Sequence, residues 1–182
     1  GANARLGTGE YLVAEADESD GSFLRLNPLI SVITNIDADH LENYGNDFSK
    51  VQAAFAEFLQ RLPFYGLAVL CIDDPEVAAL AAETPRHVMS YGFAENADVR
   101  AEDVIQDGGR MHFTLRLPED AQVRVTLALP GRHNVQNALA AAAIGWQLGV
   151  SPENIAQALE KFSGIGRRFN DLGQVTTAGG AR

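Results

Sequence analysis

A single cysteine, Cys71, stands in a chain of 182 residues. One thiol forms no internal disulfide, and its place inside the apolar run Leu67 to Ile72 reads as a buried strand thiol in a reducing compartment, so the expected location is the cytoplasm. Cations are scarce as well: fourteen Lys and Arg face twenty-four Asp and Glu, and the net charge of −10 favours solubility while opposing non-specific contact with nucleic acid. No apolar run approaches the length that spans a bilayer, and the first residues carry no basic, apolar-cored leader, so no membrane contact is expected. A phosphate loop of the form Gly-x-x-x-x-Gly-Lys-Ser/Thr is absent, and Gly179-Gly180 does not replace it. Gly1-Ala2-Asn3-Ala4 has no initiating Met and Val175 to Arg182 completes no element, so the sequence reads as a fragment.

What the chain does have is concentrated between Tyr11 and His40. Tyr11 to Ala14 and Leu29 to Ile33 are short β-branched and aromatic runs, the pattern of strands buried on both faces of a parallel sheet. Each ends in a polar cluster: Glu15-Ala16-Asp17-Glu18-Ser19-Asp20 after the first and Thr34-Asn35-Ile36-Asp37-Ala38-Asp39-His40 after the second. The carboxyl ends of parallel strands are where open α/β sheets bind ligands, so Glu15 and His40 are candidates for one hard-cation site, with Asn35 and Asp39 placed to orient the imidazole. The commoner fate of a strand-end carboxylate is a cap or a loop, and only the density of Glu15, Asp17, Glu18 and Asp20 argues for more.

Beyond His40 the pattern alternates. Asp47 is a plausible N-cap for a helix whose apolar face is Val51, Ala54, Phe55, Phe58, Leu59 and Leu62, ended by Pro63. Leu67 to Ile72 reads as a strand, Asp74-Pro75 as the start of a helix over Val77 to Ala82, and His87 to Tyr91 as a further strand. Three stretches then lack helical period: Val99 to Ile105, Met111 to Leu117 and Val123 to Leu129. Their alternation and the Asp107-Gly108-Gly109 turn predict an antiparallel meander. An Ala-rich helix follows Gly131, with Val135, Ala138, Leu139, Ala142 and Trp146 on one stripe. Gly149 suits its end, and Ser151-Pro152-Glu153 opens a last helix buried through Ile155, Ala158, Leu159 and Phe162. The expected class is α/β: a mostly parallel, doubly wound sheet with flanking helices plus a small antiparallel meander, incomplete at its N-terminus. Residues 1–163 form one partial domain, and 164–182 a basic hinge into the next.

At the Ala-rich helix start, His133, Asn134 and Asn137 could read a base edge or bind an anion, the ordinary alternative being a capping cluster with Asn134 as cap. Arg167 and Arg168 are candidates for a phosphate or carboxylate clamp, against the usual surface salt bridge. Asp73-Asp74 reads mainly as a helix cap, and His87 and His112, in strands with no polar cluster nearby, as structural.

Taken together, Glu15 to Asp20, Thr34 to His40, Leu62-Pro-Phe-Tyr-Gly66, Asp73-Asp-Pro75, Tyr91-Gly-Phe93, Gly131-Arg-His-Asn134 with Asn137-Ala138, and Gly166-Arg-Arg-Phe169 resemble the Mur ligases, the ATP-dependent amide-forming enzymes of peptidoglycan precursor synthesis. The resemblance covers nearly the whole chain and its first and third strings favour the member that joins L-alanine to UDP-N-acetylmuramate. It implies ATP and Mg²⁺ as cofactors: Glu15 and His40 hold the metal, Asn35, His133, Asn134 and Asn137 bind the nucleotide, and Arg168 reaches phosphate as the domains close. In the implied reaction ATP phosphorylates the muramoyl carboxylate and L-alanine attacks the acyl phosphate. Family members carry a UDP-binding domain and the phosphate loop before the point matching Gly1, and an amino-acid-binding domain after the hinge, so this fragment alone is expected to be inactive and to self-associate through uncovered apolar faces. Lys50 lies too early for the carbamylated lysine of some relatives. The alternatives are another family ligase, of the muropeptide-recycling or folate-polyglutamate type, and a non-catalytic nucleotide-binding remnant.

Overall fold

Runs of apolar residues without polar alternation make the centre of the sheet. In the computed structural model, which describes residues 7–164, β1 (Ile30–Ile33), β2 (Leu67–Cys71), β3 (His87–Gly92), β4 (Val99–Asp107), β5 (Arg110–Arg116) and β6 (Gln122–Leu127) form one six-stranded sheet in that spatial order. β1 to β4 pair in parallel and β4 to β6 antiparallel. Every residue of β2 is buried. Leu67, Val69 and Cys71 belong to one core and Ala68 and Leu70 to the other, which is why the run shows no polar phase.

Helices cover both faces. α1 (Phe48–Gln60) and α2 (Pro75–Glu83) pack Val51, Leu59 and Val77 against Ile33, Ala68 and Leu70. On the opposite face α3 (Arg132–Gln147) and α4 (Pro152–Lys161) pack Val135, Leu139, Ala142, Ile155 and Leu159 against the larger core, which includes Phe113, Leu115 and Leu127. The expected caps form on three of the four helices: the Asp47 carboxylate accepts from Ser49 N–H, Asp74 from Val77 N–H and the Ser151 hydroxyl from Asn154 N–H, with proline opening α2 and α4. Among the described residues no helix is long and apolar enough to cross a membrane.

Two expectations change. Tyr11 to Ala14 is not a strand: the segment has no sheet partner among the described residues, and Leu12 and Val13 are each 93% exposed. A strand needs a lateral neighbour for its N–H and C=O groups, and β1, at the edge of the described sheet, pairs only with β2. The antiparallel meander forms as expected and continues the parallel strands, joined to them through Tyr91–Val99 and Gly92–Arg100. Phe162 lies past the end of α4 and is half exposed.

Two 3₁₀ turns unannounced by periodicity, Ser22–Arg25 and Leu41–Tyr44, fold the acidic segment back onto α1. The Phe23 ring centroid sits 5.1 Å from Phe58 and 5.3 Å from Phe55, and Tyr44 Oη donates to the Glu18 carbonyl.

Candidate nucleotide and metal site

Parallel pairing brings the carboxyl ends of β1, β2 and β3 to one edge, and the polar clusters collect there. After β1, Thr34 Oγ1 donates to Asn35 Oδ1 over 2.9 Å, and Asn35 Nδ2 donates to the Asp37 carboxylate. Asn35 is therefore held by its neighbours and makes no bond to His40. His40 adopts φ 54° and ψ 31°, a left-handed conformation that is uncommon in a non-glycine residue and concentrated at functional turns. Its Nδ1 lies 3.7 Å from Glu42 Oε1.

The acidic segment is less self-repelling than its composition suggests. Asp17 accepts from Ser19 N–H at 2.9 Å and Asp20 from Ser22 N–H at 2.8 Å. Hydrogen bonding by those serines holds both carboxyls below the usual range, with a smaller contribution to Asp17 from nearby His40. Glu15 is exposed and makes no hydrogen bond or ion pair among the described residues. Glu18, Thr34, Asn35, Asp37 and Asp39, together with Phe23, Phe55 and Phe58, line a cavity of about 180 Å³.

His40 follows the end of β1, whereas Glu15 lies in an exposed segment outside the sheet, and the two form no closed ligand cage: among the described residues no group of three or more His, Cys, Asp and Glu converges on one point. The Glu15 carboxylate fits Mg²⁺, which prefers oxygen ligands, keeps several waters and is held by one or two carboxylates together with substrate phosphates rather than by an all-protein cage, while His40 would supply a nitrogen donor.

The second half of the edge is built around α3. Gly131 takes the N-cap position with φ 97°, and no side chain caps this helix. A Cβ at Gly131 would lie 2.7 Å from His133 Cε1, so the absence of a side chain there lets the imidazole fold against the turn. The expected Asn134 cap does not form. Asn134 is already inside the first turn, and its Nδ2 donates backwards to the Pro130 carbonyl at 2.7 Å. Asn134 and Asn137 then sit at a cavity of about 460 Å³ walled chiefly by Leu127, Leu129, Leu159 and Phe162. An apolar slot with two amides at its rim suits a flat heteroaromatic ring with polar edges.

Asp73 is the residue that sequence reasoning undervalued. Of the adjacent acids, Asp74 alone is the cap. The Asp73 carboxylate accepts from Phe93 N–H at 2.9 Å, Ala94 N–H at 3.1 Å and Gln136 Nε2 at 2.7 Å, joining the ends of β2 and β3 to α3. The signal was available in part: only one of two neighbouring acids can cap a helix, and Tyr91-Gly92-Phe93 puts a glycine where another group approaches. Arg167 and Arg168 lie outside the described residues, as does all of the hinge after Gly164.

A mixed sheet covered by helices on both faces, with polar side chains gathered at the carboxyl ends of its parallel strands, is the architecture of a ligand-binding type of α/β domain. The chain belongs to the Mur ligase family, its residues 2–145 matching the Mur ligase middle domain. Over its whole length it is 84% identical to the UDP-N-acetylmuramate–L-alanine ligase of Xanthomonas campestris pv. campestris (strain B100), of which it spans 38%. Among solved structures, MurF from Acinetobacter baumannii matches 90% of the chain over 35% of its own length, with TM-score 0.71 and 30% identity. The UDP-N-acetylmuramate–alanine ligase MurC of Thermotoga maritima matches 84% of the chain over 33% of its own length, with TM-score 0.71 and 29% identity.

Proposed function

We propose that this chain is the central ATP-handling domain of a cytoplasmic ligase that joins L-alanine to UDP-N-acetylmuramate in peptidoglycan precursor synthesis. The observation that carries the reading is 84% identity across all 182 residues to a protein of that name. On this reading residues 1–163 belong to the central domain and 164–182 lead into an amino-acid-binding domain. The muramoyl carboxylate takes the γ-phosphoryl group of ATP, the L-alanine amine attacks the acyl phosphate, and amide, ADP and phosphate result.

The chain's own residues divide that work along the sheet edge. Asn134 and Asn137, at the rim of the 460 Å³ cavity, present amide donors and acceptors to the adenine edge, with His133 beside them and the ribose reaching toward the α3 turn. Glu15 and His40 hold Mg²⁺, supported by the left-handed turn that fixes the His40 backbone, and Asn35 orients the loop between them and the triphosphate. Bound there, Mg²⁺ screens the triphosphate and carboxylate charges and stabilises the transferring phosphoryl group. Arg168 adds a guanidinium to the phosphates when the domains close.

The test is phosphate release by the complete gene product. It should require ATP, UDP-N-acetylmuramate and L-alanine together, while the 182-residue chain alone gives none. Preferred turnover with a tripeptide, or with a folate and glutamate, would replace this reading with another ligase of the family.

A further inference from the structure

We infer that Asp73 and Gln136 are positioning residues for the nucleotide, setting where the first turn of α3 stands relative to the carboxyl edge of the sheet; the inference rests on the reading that this turn binds adenine. Three observations carry it. First, α3 lacks the local device that anchors the other helices: Asp47, Asp74 and Ser151 cap theirs, whereas Gly131 offers no side chain. The start of α3 has the local bond from Asn134 Nδ2 to the Pro130 carbonyl, and contacts from elsewhere in the fold also bear on where it stands.

Second, those contacts converge on Asp73. Its carboxylate takes the Phe93 and Ala94 N–H groups from the turn after β3 and the Gln136 amide from α3. Gln136 stands between Asn134 and Asn137, so the bond fixes the rotation of the very turn that presents both amides. A second tie runs in parallel, with the Arg132 guanidinium carbon 3.8 Å from the centroid of the Phe93 ring, whose own N–H Asp73 holds. Third, room for this carboxylate is built into β3: a Cβ on Gly92 would lie 2.5 Å from Asp73 Oδ1. That approach is what lets the carboxylate reach the Phe93 and Ala94 N–H groups and the Gln136 amide together.

Neither side chain lines the 460 Å³ cavity, so both act through Asn134 and Asn137. Small displacements of a binding group are expensive in recognition. Losing the tie should therefore weaken ATP binding without altering the chemical step, which is seen as a rise in KM for ATP at nearly constant kcat.

The experiment uses the complete gene product and measures kcat, the KM of ATP and of UDP-N-acetylmuramate, and Tm. Gln136→Glu sets one carboxylate against another and should raise the KM for ATP about tenfold. The kcat and the KM for UDP-N-acetylmuramate should stay within about twofold. Gln136→Leu, which removes the donor without adding charge, should raise it about threefold. Asp73→Asn combined with Gln136→Glu exchanges donor and acceptor, keeps an oxygen for the Phe93 and Ala94 N–H groups, and should return the KM for ATP to within about threefold of the parent.

A role confined to stability would lower Tm and leave the KM for ATP unchanged in both single variants. That result, or a failure of the exchanged pair to recover, overturns the inference. Asn134→Ala separates this failure from failure of the functional reading. If Asn134→Ala raises the KM for ATP while the Gln136 variants do not, the positioning role alone falls. If Asn134→Ala leaves it unchanged, the adenine assignment of α3 falls, and the positioning role with it.

Discussion

Gly92→Ala places a methyl group where the Asp73 carboxylate already is. Built on the existing backbone, the new Cβ meets Asp73 Oδ1 at 2.5 Å, Cγ at 2.6 Å and Oδ2 at 2.8 Å. Those atoms are the short, tethered end of a side chain with three donors on it, so the contact is not relieved by a simple rotamer change. The glycine also has φ 154°, where an L side chain is rarely found and costs about 1 kcal/mol. Displacing the carboxylate from its donors adds about 2 kcal/mol, since hydrogen bonds to a charged acceptor are the stronger kind. Gly92→Ala should therefore destabilise the chain by about 3 kcal/mol, which for a domain of this size is roughly 6–12 °C in Tm. In an Asp73→Ala background the carboxylate is gone, and adding Gly92→Ala should cost only the dihedral part, about 1 kcal/mol. Urea unfolding of the parent, the two single variants and the double variant measures the coupling. Costs that simply add in the double variant would refute close approach as the reason for glycine at this position.

Three further outcomes are expected. His40→Gly suits φ 54° and should leave unfolding stability within about 1 kcal/mol of the parent. Ligation by the complete gene product should nevertheless fall about a hundredfold or more, whereas joint loss of fold and activity would mean a structural role only. Glu102 accepts from Arg116 Nε at 2.8 Å and from Arg100 Nε at 3.1 Å, and Arg116 first, then Arg100, holds its carboxyl below the ordinary value of 4.5. A depressed folded pKa means the stabilisation is present above that ordinary value and lost as the pH falls through the lower folded one. A carboxyl NMR titration should place its midpoint below 4.5 and see it rise in Arg116→Gln, with a midpoint at or above 4.5 in the parent refuting the pairing. Exposed Tyr11, Leu12 and Val13 should make the isolated chain self-associate, so Leu12→Lys with Val13→Lys should shift sedimentation toward monomer, an outcome excluded if the parent is monomeric at every concentration.

Most of the fold was legible because it follows from local rules. The caps at Asp47, Asp74 and Ser151, the prolines opening α2 and α4, and the Gly108-Gly109 turn between β4 and β5 each depend on residues within a few positions of one another. The site was legible only as a set of strand ends. Parallel pairing accounts for Asn35, Asp73 and Phe93 reaching one edge, but not for which partner each takes: Asn35 turns to Thr34 and Asp37 rather than to His40, and Asp73 leaves the capping to its neighbour to bind groups 20, 21 and 63 residues away. Two adjacent aspartates have the same chemistry in one dimension, and only the approach of β3 and α3 separates their roles.

Tyr11 to Ala14 and Leu67 to Cys71 put the same limit in its sharpest form. Both are short runs rich in residues that favour strands, and composition does not distinguish them. Leu67 to Cys71 lies between β1 and β3, each of its faces meets helix side chains, and all five residues are buried. Tyr11 to Ala14 has no strand beside it among the described residues and stays exposed. Apolar pattern states what a segment is able to bury. Whether it becomes a strand is decided by a neighbour distant in sequence that supplies hydrogen-bond partners and cover, so a strand reading is only as secure as the identification of the strand next to it.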